Sequence, residues 1–277
     1  MAGDQRADST SGCLHVPAFH FTKPRRPLAA GRGTQERQSA ALVLQLAHQS
    51  INKATRRLRD VVIFGTGPIA ELADLYLRED ARRTVAGFAV DSAFLQSNTF
   101  LGRPSVAFES LEQQFPPEAY DLFVAVSYTG LNKLRRARVD AAQARGYSLA
   151  HYVSSRATLF STFVADENQF ILEDNTIQPF AQIGRNVTLW SGNHIGHHSR
   201  IAEDCFIASH VVISGGVSIG PRSFVGVNVT IRDHVTIGAD CVIGAGALVL
   251  ADVPDGSVMA PGGTEISRVP SHRLRRI

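Results

Sequence analysis

Between Val153 and Val249 an aliphatic or small apolar residue returns at every sixth position without a break. The series is Val153, Leu159, Ala165, Ile171, Ile177, Ile183, Leu189, Ile195, Ile201, Ile207, Ile213, Ile219, Val225, Ile231, Ile237, Ile243 and Val249. Neither a helix nor an alternating strand has this period. It predicts a solenoid that turns a corner every six residues and points one aliphatic side chain inward from each face. The residue after each inward position is usually small, as in Gly184, Gly196, Ala202, Ala208, Ser214, Gly220, Gly226, Gly238 and Gly244. The residue two places before the next one is small or β-branched, as in Asn193, Ser199, Cys205, Val211, Val217, Ser223, Val229 and Val235. A narrow triangular coil requires this, because bulk there meets the corner or the next rung.

Upstream the pattern is different. Val61-Val-Ile-Phe64 reads as a short apolar strand running into Gly65-Thr-Gly-Pro-Ile-Ala70, and helical periodicity follows to Leu77. Strand, Gly-rich turn and helix start together form an anion site, where free backbone N–H groups and the helix dipole face a phosphate. A second strand, Thr84 to Val90, ends at Asp91, placed to bond a ribose or base. A third, Leu122 to Val126, leads into Ser127-Tyr-Thr-Gly-Leu-Asn132-Lys133 and an Arg-rich helix. Gly65, Gly67, Asp91 and Asn132 are therefore the candidate substrate-binding residues. The G-x-G turn, with Ala70 in place of the third glycine, could by itself mean NAD with Asp91 on the adenosine ribose, but the domain is only ~90 residues and no hydride-transfer domain follows.

Leu44, Ala47, Ile51, Ala54 and Leu58 recur at alternating spacings of three and four, an amphipathic helix over residues 35–59. Its expected role is to dock on its own subunit or a neighbour, with peripheral membrane contact through Arg56, Arg57 and Arg59 as an alternative. Residues 1–34 mix Ser, Gly, Pro and Arg without period and read as a disordered extension. The expected organisation is thus an extension (1–34), a helix (35–59), an α/β domain (60–150), a coil (151–262) and a basic tail (263–277).

Composition adds limits rather than direction. No apolar run reaches the ~20 residues of a membrane span. The net charge of +3 is concentrated in residues 1–60, which carry +6 against −3 for the rest, so the body is mildly acidic and no nucleic-acid partner is expected. Cys13, Cys205 and Cys241 have no metal-like spacing, and the last two fall at small-residue positions of the repeat, which fits a reducing, cytoplasmic compartment.

The densest chemistry is Ser191-Gly-Asn-His194-Ile195-Gly-His197-His198-Ser199. Ile195 points inward, so His197 and His198 stand on the corner after it, outside the core. Imidazole titrates near neutrality and serves as a general base. Backbone N–H groups around Gly215-Gly216, one 18-residue turn beyond His197, are candidate donors to an oxyanion.

The six-residue repeat is the hexapeptide pattern, and over residues 60–262 the chain resembles the left-handed parallel β-helix acyltransferases. With an α/β half ahead of the repeat it is similar to bacterial nucleotide-sugar acetyltransferases of the sialic-acid O-acetyltransferase and bacillosamine-pathway type. The resemblance implies a Rossmann-like nucleotide-binding domain followed by a left-handed parallel β-helix. It implies a homotrimer, acetyl-CoA as co-substrate, no metal, and a nucleotide-linked sugar as acceptor. His197 falls where these enzymes keep their catalytic base, with His198 and His194 in support. In these enzymes CoA lies along the outside of the helix between subunits, and the resemblance makes Gly215, Gly216, Val227 and Ala245 its candidate contacts. One departure is plain: the base is commonly followed by Asp or Glu, and here by His198. A carboxylate from elsewhere, Glu203 or Asp204, or none, takes that part.

The expected activity is N-acetylation of a nucleotide-linked amino sugar for surface-glycan synthesis, with sugar O-acetylation as the close alternative. Two other classes compete. One is a zinc enzyme like the γ-class carbonic anhydrases: His198 and His234 are 36 apart, near that family's ligand spacing, but Ala239 stands near the place of the third ligand. The other is a non-catalytic trimeric assembly protein, against which the histidine cluster argues.

Overall fold

The computed structural model describes residues 58–260 and Arg273. The expected extension, the bulk of the amphipathic helix and nearly all of the basic tail lie outside the described residues.

The first half is an α/β layer. Strands β1 (Asp60–Phe64), β2 (Val85–Val90), β3 (Thr99–Phe100), β4 (Arg103–Ala107), β5 (Tyr120–Val124) and β6 (Ser148–Leu149) form one sheet in the order β3-β4-β2-β1-β5-β6. Its pairings are parallel except the β3–β4 hairpin, so the sheet is mixed rather than wholly parallel. Val61, Val62 and Ile63 are all fully buried, which is why β1 reads as a continuous apolar run rather than an alternating one. Helices α1 (Pro68–Glu79) and α2 (Lys133–Ala144) flank the sheet. Pro68 sits in the first turn of α1, where its missing N–H costs nothing.

From Tyr152 the chain winds as a three-sided coil of two-residue strands. The first face stacks Thr158–Leu159, Thr176–Ile177, His194–Ile195, Val212–Ile213, Thr230–Ile231 and Leu248–Val249. The second stacks Gln182–Ile183, Arg200–Ile201, Ser218–Ile219 and Thr236–Ile237. The third runs from Tyr152–Val153 through Phe170–Ile171, Thr188–Leu189, Phe206–Ile207, Phe224–Val225 and Val242–Ile243 to Val258–Met259. Partners within each face are 18 residues apart over most of the coil, for example Ile195 with Ile213. The inward residues from Ile171 to Val249 form a single core, and each fully buried Ile contributes roughly 1.5–3 kcal/mol. The parallel three-sided geometry fits a left-handed β-helix.

A second period lies at the corners. Asn168, Asp174, Phe180, Asn186, Gly192, His198, Asp204, His210, Gly216, Arg222, Asn228, His234, Asp240 and Gly246 all have positive φ, between 51° and 79°. Each is the second residue of its corner, a left-handed position that favours Gly, Asn, Asp and His. Cys205 and Cys241 are free thiols buried within the coil, and burial pushes the Cys205 thiol up to about 12.

The α/β half packs on the third face. Outward-pointing Phe170 meets Tyr76 and Phe123, and Tyr128 lies on Phe206 and Phe224. One flanking corner is tied to α2 and the other, at Trp190 and Ser191, is tied through Glu173 to α1. The corner between the first and second faces therefore stands opposite the layer.

Candidate active site

His197 and His198 occupy that opposite corner, between strands His194–Ile195 and Arg200–Ile201. Both are exposed, while the core position just before them, Ile195, is fully buried. The backbone N–H of His197 donates to Gln178 Oε1 at 2.9 Å, and its carbonyl accepts from Gly216 N–H at 2.9 Å. Its ring lies against Gly215: a Cβ there would stand 2.7 Å from His197 Cε1 and 2.8 Å from Nε2. Nδ1 of His197 is 3.2 Å from Nδ1 of His198, and the His198 ring packs on Phe180 at 4.8 Å. His194 points outward from the first face and is half-buried.

Of the four expected CoA contacts, Gly215 and Gly216 share the histidine corner. Val227 and Ala245 lie across the first face, on the corner beside the third face, with Gly226 packed under the Ala245 backbone. Gly216 N–H is committed to the His197 carbonyl, so of the two glycine amides only that of Gly215 remains unbonded among the described residues. Glu203 and Asp204 are not at this corner. Asp204 is buried against Asn186 and faces Arg136, so neither acid serves either imidazole. That expectation fails because the two residues follow the next inward position and turn toward α2.

The remaining histidines have backbone reasons for their places. His198, His210 and His234 all hold left-handed corner positions, and the last two pack their rings over Gly192 and Gly216. His197 precedes that position, so its identity is not set by φ. His198 and His234 are two rungs apart, about 9.6 Å at the spacing of paired strands. Among the described residues no group of three His, Cys, Asp or Glu is placed to hold a metal.

At the other candidate site, Gly65 has φ +128°, and a Cβ there would lie 2.9 Å from the Ala125 carbonyl oxygen. Gly67 caps α1 with an extended backbone, and a Cβ there meets nothing within 4 Å. The turn therefore needs glycine at 65 for its own geometry, and at 67 leaves open space before the helix start. Asp91, after β2, accepts from Arg138 at 2.7 Å. Asn132 corrects the sequence reading. It is fully buried at φ +62°, and its Nδ2 donates to the carbonyls of Arg222 and Ser223, so it joins α2 to the coil rather than facing a ligand. Arg135, which sequence reasoning did not single out, lies wholly buried in the same joint. Burial pushes its guanidinium down to about 10, against the opposing pull of Asp204. An apolar-spaced Arg on an Arg-rich helix was the available signal.

Residues 171–215 and 216–251 match the family of bacterial transferase hexapeptide repeats (six repeats). No curated protein matches the chain. Among solved structures it is similar to perosamine N-acetyltransferase from Caulobacter crescentus, solved as a histidine-to-asparagine mutant in complex with CoA and GDP-perosamine. The identity is 28% and the TM-score 0.67, over 74% of this chain and 95% of that one. A histidine-to-alanine mutant of the same enzyme, again with CoA and GDP-perosamine, gives 26% and 0.56 over 74% and 95%. WeeI from Acinetobacter baumannii AYE shares the fold at 17% identity and TM-score 0.55, over 73% and 96%. The chain thus carries the bacterial transferase hexapeptide repeat over residues 171–251, and its likeness to the perosamine enzyme spans both halves.

Proposed function

We propose that this chain is an acetyl-CoA-dependent N-acetyltransferase acting on a nucleotide-linked amino sugar, a cytoplasmic step of surface-glycan synthesis. The observation that carries it is the likeness, through 95% of its length, to an enzyme that was solved with CoA and a GDP-linked amino sugar. In this reading residues 60–150 are a Rossmann-like domain that holds the nucleotide at Gly65, Gly67 and Asp91. Residues 151–262 are a left-handed β-helix that holds CoA near Gly215, Val227 and Ala245.

His197 is the general base. The sugar amine attacks the thioester carbonyl while His197 Nε2 takes its proton, the Gly215 N–H donates to the oxyanion, and the thiolate leaves with the proton returned by His197. His198 and His194 support it. The relative's capture with both ligands as histidine mutants agrees with a histidine in this part. His197 stands opposite the face covered by its own α/β half, so a sugar held there reaches the histidine of a neighbouring copy. This supports a homotrimer, in which one copy's histidine corner meets the Val227 and Ala245 corner of the next.

The test is transfer from acetyl-CoA to GDP-linked and UDP-linked sugars bearing an amine or only hydroxyls, followed by mass spectrometry of the product. His197→Ala should cost roughly 10²–10⁴-fold in kcat with the fold intact. Acetylation confined to hydroxyl sugars would replace the N-acetyl reading with O-acetylation. A fully active His197→Ala variant would remove the base assignment.

A further inference from the structure

The Nδ1 to Nδ1 contact between His197 and His198, 3.2 Å with the rings at 84°, is not required by the hexapeptide pattern. Two imidazole nitrogens at that distance hold one proton between them, because two lone pairs or two N–H groups would repel. Both rings are fixed from behind. His197 lies on the Gly215 backbone, and His198 is held by Phe180 and by its left-handed backbone, whose N–H donates to the Pro179 carbonyl at 3.3 Å. Gln178 Oε1 is engaged by the His197 backbone. The next ionisable groups along this corner are His234, whose ring covers Gly216, and Asp233, 4.0 Å from His234 Nε2. Arg200 projects outward from the following strand. Among the described residues no carboxylate bonds or ion-pairs with either ring.

We propose that His198 is a positioning residue whose Nδ1 accepts the Nδ1 proton of His197, holding His197 in the tautomer that carries its lone pair on Nε2. The inference rests on the acetyl-transfer reading with His197 as base, and it gives a neutral imidazole the place of a carboxylate. During transfer a C–N bond forms and the C–S bond breaks. The amine proton passes to His197 Nε2 and from there to the departing thiolate, while the Nδ1 proton stays between the rings throughout. A proton added to His198 reverses the contact: His198 Nδ1–H then donates, His197 is driven to its Nε2–H form, and the base is lost.

The coil supplies a conformationally matched series for the test. The left-handed corner position already holds glycine at 192, 216 and 246, asparagine at 168, 186 and 228, and aspartate at 174, 204 and 240. His198→Gly, His198→Asn and His198→Asp therefore remove, keep neutral or charge the acceptor without new backbone strain. Long-range ¹H–¹⁵N spectra of the full-length, ¹⁵N-histidine-labelled protein without substrates report each tautomer, with His197 assigned by its loss in His197→Asn. The expected result is Nδ1–H at His197 in the wild type, His198→Asn and His198→Asp, and Nε2–H, the form isolated imidazoles favour, in His198→Gly.

With acetyl-CoA and a GDP-linked amino sugar, His198→Gly should lose roughly five- to tenfold in kcat, the scale of one hydrogen bond, with the KM for acetyl-CoA unchanged. His198→Asp should restore it. Nε2–H at His197 in the wild type, or wild-type kcat and tautomer in His198→Gly, overturns the proposal. The expected tautomers without acetyl transfer to any amino sugar would instead support the histidine pair and count against the acetyltransferase reading.

Discussion

Arg135 Nε donates to Asn186 Oδ1 at 3.1 Å, in a polar joint that is wholly buried between α2 and one corner of the coil. The same guanidinium reaches the carbonyls of Asn186, Asp204 and Cys205. Asn186 continues the chain of bonds to Asp204 and receives one from Asn168, which in turn clamps the backbone of Val124 at the end of β5. The sheet, the helix and three successive rungs are thus linked through one column of left-handed corner residues.

Arg135→Met should destabilise the protein by about 3–5 kcal/mol. Removing the charge recovers its desolvation, but it strands the Asn186 and Asp204 carbonyls and leaves Asp204 facing Arg136 alone. Calorimetry should show a fall of about 10 °C in the melting of this joint. An unchanged Tm would mean that the aromatic contacts on the third face suffice to hold the halves together.

Gly215→Ala should impair catalysis without harming the coil. Its backbone needs no positive φ, but the new Cβ would stand 2.7 Å from the His197 ring and must push it aside. A drop in kcat of tenfold or more is expected, since misplacement of a catalytic group by about 1 Å costs on the order of 10²-fold. Gly192→Ala is the control, with φ +79° and a clash against His210. It should lower stability by about 1 kcal/mol or more and leave kcat near normal.

Gly67→Val should weaken binding of the nucleotide sugar while preserving the fold, because position 67 is extended and its Cβ direction is empty. Isothermal titration should show acetyl-CoA affinity unchanged. A loss of CoA affinity instead would mean that the two ligands have been assigned to the wrong halves. Gly65 is unsuitable for this test, since its φ of +128° and the Ala125 carbonyl make any side chain costly in folding.

Acid should loosen the seam between α1 and the start of the coil. Burial acts to raise the Asp80 carboxyl, but hydrogen bonds from Ser155 and Tyr152 hold it below its ordinary 3.8. Burial likewise acts to raise Glu173, and bonds from Ser191 and Tyr76 hold it below 4.5. A depressed carboxyl contributes stability that is complete above its unfolded value and is lost as pH falls through its folded value. In urea titrations, Asp80→Asn and Glu173→Gln should be less stable than wild type at pH 7, and the gap should close as pH drops below about 4. A gap that stays constant down to pH 2.5 would show that these carboxylates contribute shape rather than charge.

The sequence by itself determined the coil. Sixfold recurrence of Ile and Val can be satisfied only by a chain that returns an inward side chain at each face, so Ile177, Ile195 and Ile213 were readable as core without coordinates. The strand, Gly-rich turn and helix at residues 60–79 were equally local, since a continuous apolar run and a helix-starting proline act within a few residues. The β3–β4 hairpin passed unnoticed because its strands are short and carry Pro104 and Arg103 in place of an apolar pattern. What the tertiary structure decided was which polar residues meet. Asn132 at the N-cap of α2 and Arg135 within it are polar residues of an Arg-rich segment, yet both are buried, because α2 lies on a coil corner whose carbonyls need donors. Asp204, near the histidines in sequence, turns to that same corner. Corner geometry also separated His197 from His198, His210 and His234, three histidines that the left-handed backbone itself favours. A six-residue period specifies which side chains point inward, whereas pairings across the corners depend on how 18-residue turns stack and on what covers each face.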